Sequence, residues 1–372
     1  MSPRVEKWTF ATAWALIIAL AWTPAALSQF NGCGTGFCPS AFGTGFAAPS
    51  SSGPTISMDF TTATYIGCTL VGCVSVTRAS SKTDLLPSSA SGLQFNTFAS
   101  NVTPITPGLG ILPEAAHTNQ LLNSCNATTY PTQCAGNTGP ATQTTGTLAA
   151  SAQTLWVNGS GSAALSNGTA TGCAGTASQG TAVTFTPTAG TCTVTVTGSL
   201  NAFQLELGTY GHSLCISTGA AAVCAADSTV TAGALATAVN TLPFSIVVSL
   251  GGSPNATPRI IDDSTDAQTQ IFLTANAARS APSAGQIVAT IGGGLDVPNA
   301  FKAGVAYSGT TGSVVANNGT VATGTNAWTS TNNPSRIGGS SAGMANAYDG
   351  YIRRIDVYNS RLPDATLKAL TQ

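Results

Sequence analysis

The sequence predicts an all-β protein: two antiparallel β-sandwich or jelly-roll modules in tandem, closed by one short C-terminal helix. Three observations carry this expectation. Short runs in which Val, Ile, Leu and Phe alternate with Thr and Ser recur along most of the chain. Gly, Asn and Ser turns separate those runs. The cysteines stop at Cys224 and leave the last 148 of 372 residues without one, which marks a module boundary near residue 225.

Residues 1–28 read as a secretory signal peptide. Arg4 and Lys7 precede the apolar run of residues 10–22, and Ala26 and Ser28 put small side chains where a signal peptidase cuts, before Gln29. The run is shorter than the roughly 20 residues that cross a bilayer, so cleavage, export and no later membrane span are expected. The expected location is extracellular, on the cell surface or in the periplasm. Residues 29–55 are a Gly/Ser/Pro-rich leader, and residues 56–124 mix short strand-like runs with turns.

Residues 125–222 form a small β-sandwich. Val183 and Phe185 face one way, residues 187–191 turn the chain, and Cys192, Val194 and Val196 then share one face opposite Thr193, Thr195 and Thr197. That parity points Cys192 into the core, where a bridge to Cys173 would tie the module together. Residues 223–372 form the second module. Phe244, Ile246, Val248 and Leu250 share a face, and further strands are expected at 270–274, 286–291, 302–309, 312–319 and 350–359. The ending "LPDATLKALTQ" reads as the helix, with Pro363 early and Asp364 in its first turn.

Composition excludes some functions. Charged residues make up 7% of the chain, where roughly 25% is usual, and the formal net charge is −1, so no basic face is expected for nucleic acid. Ten cysteines in an exported chain read as disulfides, in neighbour pairs: Cys33 with Cys38, Cys68 with Cys73, Cys125 with Cys134, Cys173 with Cys192, Cys215 with Cys224. The absence of any CxxC and a total of two histidines argue against metal binding by these cysteines.

The C-terminal run "DGYIRRIDVYNSRLPDATLKALTQ", with "VAYSG", "VVANNG" and "SRIGGSS" before it, resembles the ending of concanavalin A-like, laminin-G-like jelly-roll domains in bacteriophage tail and head-fibre proteins. "VSVTRASSKTDLL" and "GLGILPEAAHTNQLLNS" are similar to the linked segments that precede such domains, and "LNAFQLELGTYGHSLCIST" to the last strand of their middle, carbohydrate-binding-like module. The signal peptide, the cysteines and the short middle module depart from the phage pattern. They point to an exported, prophage-derived cellular form and put a virion role in doubt.

Glu114 and His117 raise the question of catalysis, because only three glutamates and two histidines occur in the chain. The resemblance implies that residues 108–124 lay an apolar strand into the base of the fold. Leu109, Ile111 and Leu112 then pack, while Glu114 and Asn119 satisfy neighbouring polar groups. Glycoside hydrolysis needs two carboxylates across the bond, and Glu206 is the only other mature glutamate. A serine nucleophile would have only His117 or His212 as base, and no G-x-S-x-G elbow is present. The Gly-rich "IGGGLD" lacks the lysine of a phosphate loop and reads as a turn. No catalytic residue and no cofactor are therefore expected.

Binding residues are expected in loops. Trp328, in the polar "GTNAWTSTNNPSR", is the candidate sugar platform, with Arg336 and Tyr307 as further ligand candidates; Trp156 reads as either core or platform. Asp262, Asp263 and Asp266 are candidate ligands of a structural Ca²⁺, against the plainer reading of a solvated loop. The expected function is recognition or adhesion through a surface glycan or cell-surface protein. The alternative is a structural fibre or appendage subunit that forms a homo-oligomer, and a glycoside hydrolase is the remote third reading.

Overall fold

The computed structural model describes residues 53–86, 94–106, 108–124, 141–251, 258–262, 268–274, 277–282, 287–290, 301–325, 335–339 and 347–372. The alternating runs become antiparallel strands throughout. In Phe244–Leu250 the residues Phe244, Ile246, Val248 and Leu250 share one face and are fully buried. This strand lies between Ile352–Tyr358 and Phe301–Ser308, at the centre of a sheet that continues through Ile56–Asp59 and Thr64–Ile66 on one side and through Thr311–Ala316 and Ala322–Thr325 on the other.

A second sheet faces it. Its strands run Ile287–Thr290, Ala277–Pro282, Gln268–Thr274, Arg259–Asp262, Arg336–Ile337, Ser228–Thr231, Val74–Thr77. One core joins the two inner faces: Ile56, Met58, Val248, Val305 and Ile355 from the first meet Val74, Ile261, Ile271 and Ile337 from the second. Strands from residues 56–77 are thus woven into the sandwich that residues 228–358 otherwise build. The connecting strand Gly110–Ile111 docks on Ile352, and Gly110 is required there: its φ is +119°, and a Cβ would fall 2.3 Å from the Ile352 carbonyl oxygen.

The closing helix is Asp364–Leu370, with Pro363 at its N-cap position and Asp364 in its first turn. It covers the outer face of the first sheet, where Leu367 packs with Val247, Ala306, Val315 and Tyr358. Gly304 lies directly under Leu367, so the absence of a side chain lets the helix approach.

The middle module is a smaller sandwich. Val183–Phe185, Gln153–Gly159 and Leu200–Leu207 form one sheet; Gly175–Ser178, Ser162–Asn167, Cys192–Thr197 and Ala141–Thr144 form the other. Leu155, Val157, Leu165, Val194, Val196, Phe203 and Leu205 fill it. Cys192 is buried on the valine face and bonded to Cys173, which lies in the turn after Ser162–Asn167. Cys68–Cys73 and Cys215–Cys224 are the other two bridges among the described residues. The expected pairs Cys33–Cys38 and Cys125–Cys134 lie outside the described residues, as do the signal peptide and leader.

Candidate functional site

A cluster of ionisable groups, which includes both described glutamates and both histidines, forms where the connector, the middle module and the C-terminal sandwich meet. Three stretches supply them. The stretch after Val74–Thr77 carries Arg78 in its turn and Lys82 at the start of the strand Lys82–Leu86, residues 112–119 carry Glu114 and His117, and Leu200–Leu207 with the segment that folds back over it carries Glu206, Tyr210, His212 and Ser213. Asp227, just before Ser228–Thr231, and Asp349, just before Ile352–Tyr358, face them from the large sandwich.

The inner half is a buried ion network. Arg78 donates from Nη1 to Oδ1 of Asp227 at 2.5 Å, and Lys82 Nζ reaches Oδ2 of the same carboxylate at 2.7 Å. Lys82 also lies 2.8 Å from Oε2 of Glu114 and donates to the Leu112 carbonyl at 2.6 Å. Glu114 accepts from the backbone N–H of Ser213 at 2.7 Å and from its hydroxyl at 2.6 Å. Two cations thus meet two carboxylates, and every polar contact of the Lys82 ammonium is made. Such a site avoids the large penalty of an unpaired buried charge.

Burial works against the Lys82 charge, but the Glu114 and Asp227 carboxylates outweigh it and hold the ammonium above the ordinary lysine value. For Glu114 burial alone would raise the carboxyl; the charges of Lys82, His117 and His212 instead hold it down at about 2.

The outer half is built around Glu206, which is fully buried. His212 donates from Nδ1 to Glu206 Oε2 at 2.6 Å, while its own backbone N–H, the Gln204 amide and the Trp156 indole N–H all donate to Oε1. His212 Nε2 faces Asp349 Oδ1 at 3.6 Å, an ionic rather than a hydrogen-bonding distance, and Tyr210 donates to Asp349 Oδ2 at 2.9 Å. Burial would lower the His212 value, but Asp349, Glu206 and Glu114 push it up to about 10. Tyr210 is raised by burial and by Asp349.

His117 stacks on His212 with ring centroids 4.7 Å apart and planes 9° apart, and its ring nitrogens face the carbonyls of Ala115 and Ser213. Ligand atoms of His117, Glu206 and His212 lie within 4.8 Å of one another. As arranged they do not form a metal centre. Lone pairs of two stacked, nearly parallel imidazoles do not converge on one point, and the Nδ1 of His212 is already committed to Glu206. The cluster of His117 with Cys215 and Cys224 offers disulfide sulfurs, not the thiolates that bind metal.

No family model and no curated protein matches the chain. Among solved structures, the CBM40 domain of Ruminococcus gnavus IT-sialidase bound to alpha2,6 sialyllactose is 19% identical, with 37% of this chain and 87% of that chain covered and a TM-score of 0.33. The leech intramolecular trans-sialidase is 19% identical over 37% of this chain and 24% of that chain, with a TM-score of 0.29. Domains LG4-5 of the mouse laminin alpha1 chain are 11% identical over 69% of this chain and 91% of that chain, with a TM-score of 0.25. At these scores the likenesses carry no argument about what this chain binds.

Of the binding candidates read from the sequence, the described Tyr307, Asp262 and Arg336 make their contacts outside this network, and Trp156 belongs to it. Tyr307 is fully buried and packs against Phe244, ring centroids 5.7 Å apart, so its ring presents no face to a ligand. Asp262 is also fully buried, with Arg259 Nε 3.7 Å from Oδ2; Asp263 and Asp266 lie outside the described residues, as does Trp328. Arg336 is partly buried and donates to the Ser228 hydroxyl at 2.8 Å. The sheet register puts Arg336 opposite Asp262, a pairing of two candidates that sequence spacing does not show. Trp156 is half-buried, with its edge pinned to Glu206 and covered by Gly211.

The convergence of both histidines with Glu114 and Glu206 is the feature that sequence reading misses. Its one available signal is scarcity: in a chain this poor in charge, residues of such rare types that survive in the folded region have work to do.

Proposed function

We propose that the mature chain is an exported, non-catalytic recognition or adhesion protein, whose sandwiches present loops to a surface glycan or a cell-surface protein. The observation that carries this reading is the engagement of the acid–base residues. Both glutamates and both histidines among the described residues are held in one network of intramolecular hydrogen bonds and ion pairs. General acid–base work requires such groups within reach of a substrate's proton, not closed in on each other.

Export is supported by three bridged cysteine pairs, which persist in oxidising compartments, and by the signal-like residues 1–28. Descent from a phage fibre-type gene, with loss of the virion role, remains part of the proposal on the sequence resemblance alone. Trp328, Arg336 and a Ca²⁺ at Asp262, Asp263 and Asp266 are the proposed ligand and cation positions.

The test is binding of oxidised, refolded residues 29–372 to a broad glycan and polysaccharide array, with and without Ca²⁺ and beside Trp328→Ala. Saturable binding to a defined sugar that the variant loses supports the reading. A blank from folded protein against both sugars and cell-surface proteins overturns it.

A second reading, an appendage subunit, is favoured by one observation. Ile66, on the edge strand Thr64–Ile66, is 53% exposed, and Val71 on the neighbouring short helix is 84% exposed. Among the described residues this strand ends its sheet, and an edge with apolar residues is a surface that strand addition covers. Assembly without ligand, followed by sedimentation velocity, distinguishes this reading.

A further inference from the structure

We propose that Lys82 and Asp227 condense into an intramolecular isopeptide bond, with Glu114 as the proton carrier and Arg78 as the group that holds the reacting carboxylate. The proposal is independent of whether the chain binds a glycan. It rests on the four side chains of the inner network and on their order in space. Lys82 Nζ, the nucleophile, is in contact with Asp227 Oδ2 at 2.7 Å and with Glu114 Oε2 at 2.8 Å, and it is fully enclosed. Asp227 Oδ1 is fixed by Arg78 at 2.5 Å, and Oδ2 also accepts the Glu114 N–H at 3.3 Å.

The balance closes without any outside reagent. In the resting ion pair Lys82 is an ammonium and both acids are carboxylates. One proton crosses from Nζ to Glu114 Oε2 and leaves a neutral amine; burial favours this loss of two charges from a dry site, the ion pairs of Lys82 oppose it, and the neutral pair is therefore a minor state from which the reaction proceeds. Glu114 passes that proton to Oδ2 of Asp227, and the Nζ lone pair attacks Cγ of the resulting carboxylic acid; the negative oxygen that forms at Oδ1 lies on the Arg78 guanidinium, in the manner of an oxyanion hole. Glu114 relays two protons in all from Nζ to Oδ2; the Cγ–Oδ2 bond breaks, and Oδ2 leaves as water. The ammonium and one carboxylate have become an amide and water, and Arg78 and Glu114 remain as one cation and one anion.

Contact between the amine and the carboxyl group it attacks, here Nζ against Oδ2, enforced by the fold is the condition under which such a condensation proceeds. The effective molarity of well-oriented intramolecular partners reaches about 10⁵ M or more. The consequence is mechanical. The bond would join residues 145 apart and close a covalent loop around the whole middle module, so that tension along the chain bypasses it.

Mass spectrometry of the full chain, expressed with export, reduced and denatured, tests this. The expected result is a mass one water below that of the exported chain as its N-terminal peptide defines it, and a linked fragment in which Lys82 and Asp227 peptides are joined. The linked fragment separates this loss from any change at the N-terminus. An intact mass with free Lys82 and Asp227 peptides from the folded, exported protein overturns the proposal. Glu114→Gln, which keeps the size and loses the proton carrier, is expected to return the full mass. The same link in Glu114→Gln would overturn the role given to Glu114. Should that variant fail to fold, the wild-type fragment alone decides.

Discussion

His212 and His117, the two histidines of the chain, lie face to face across the seam between the middle module and the connector, 4.7 Å apart. The Nδ1 of His212 is bonded to the buried carboxylate of Glu206 and its Nε2 faces Asp349, so a cation there is matched by anions from two modules.

That arrangement sets a pH dependence. His212 is raised from 6.5 to about 10, so the folded chain binds its proton more tightly than the unfolded chain does. Its contribution is complete below 6.5 and is lost as pH rises through about 10. Glu114 runs the other way: lowered from 4.5 to about 2, it contributes fully above 4.5 and loses that as pH falls through about 2. Thermal unfolding followed by circular dichroism is expected to show its highest midpoint between these two ordinary values and to fall on both sides. His212→Gln should flatten the alkaline limb and, because the His212 charge is one of three that hold Glu114 down, reduce the acid limb only in part.

Removing Asp227 leaves Arg78 and Lys82 as buried cations with one carboxylate between them. Relative to a chain in which Lys82 and Asp227 are unlinked, Asp227→Ala is expected to cost about 3–5 kcal/mol, the range for breaking a buried pair by deleting one partner. Urea unfolding should show the loss as a lower midpoint with an unchanged slope.

Gly211 covers the indole of Trp156. A Cβ there would fall 2.3 Å from Trp156 Cδ1, so either the ring or the turn must shift, and Gly211→Ala is expected to displace the ring and break its bond to Glu206 Oε1. A red shift of tryptophan emission relative to wild type is the expected readout, since the ring moves toward water. Unchanged emission would mean that the turn yields and the ring does not.

The Cys173–Cys192 bridge closes a loop of sequence separation 19 inside the small core. Replacing both cysteines by serine is expected to cost about 3 kcal/mol by the loop-entropy relation. The loss should be read from unfolding of the middle module with the large sandwich still folded.

The strands were legible because their signal is local. A period of two needs only four or five residues, so Phe244–Leu250, Cys192–Thr197 and Ile352–Tyr358 could be read from the sequence, as could the burial of Cys192 and the closing helix. The network was not legible, because its contacts are long-range: Glu114 meets Ser213 across 99 residues, and Lys82 meets Asp227 across 145. Gln204 and Glu206 share the face of Leu200–Leu207 opposite Phe203 and Leu205, and polar residues on alternate positions read as a solvated face. They are buried because residues 210–217 fold back over them, which no periodicity announces. Tyr307, named as a ligand candidate, is another case: it shares parity with the buried Ala303 and Val305 and lies in the core with them.

The central claim is that the rare acid–base residues serve the scaffold while the protein acts by binding. The most direct test incubates the folded chain with each polysaccharide that retains it, and measures saturable retention and released reducing ends in the same samples, beside Glu206→Gln. The expected result is saturable retention with no released ends, and unchanged affinity in the variant at a temperature where it remains folded. Reducing ends released by the wild type and abolished in Glu206→Gln would contradict the claim and make the junction a catalytic site.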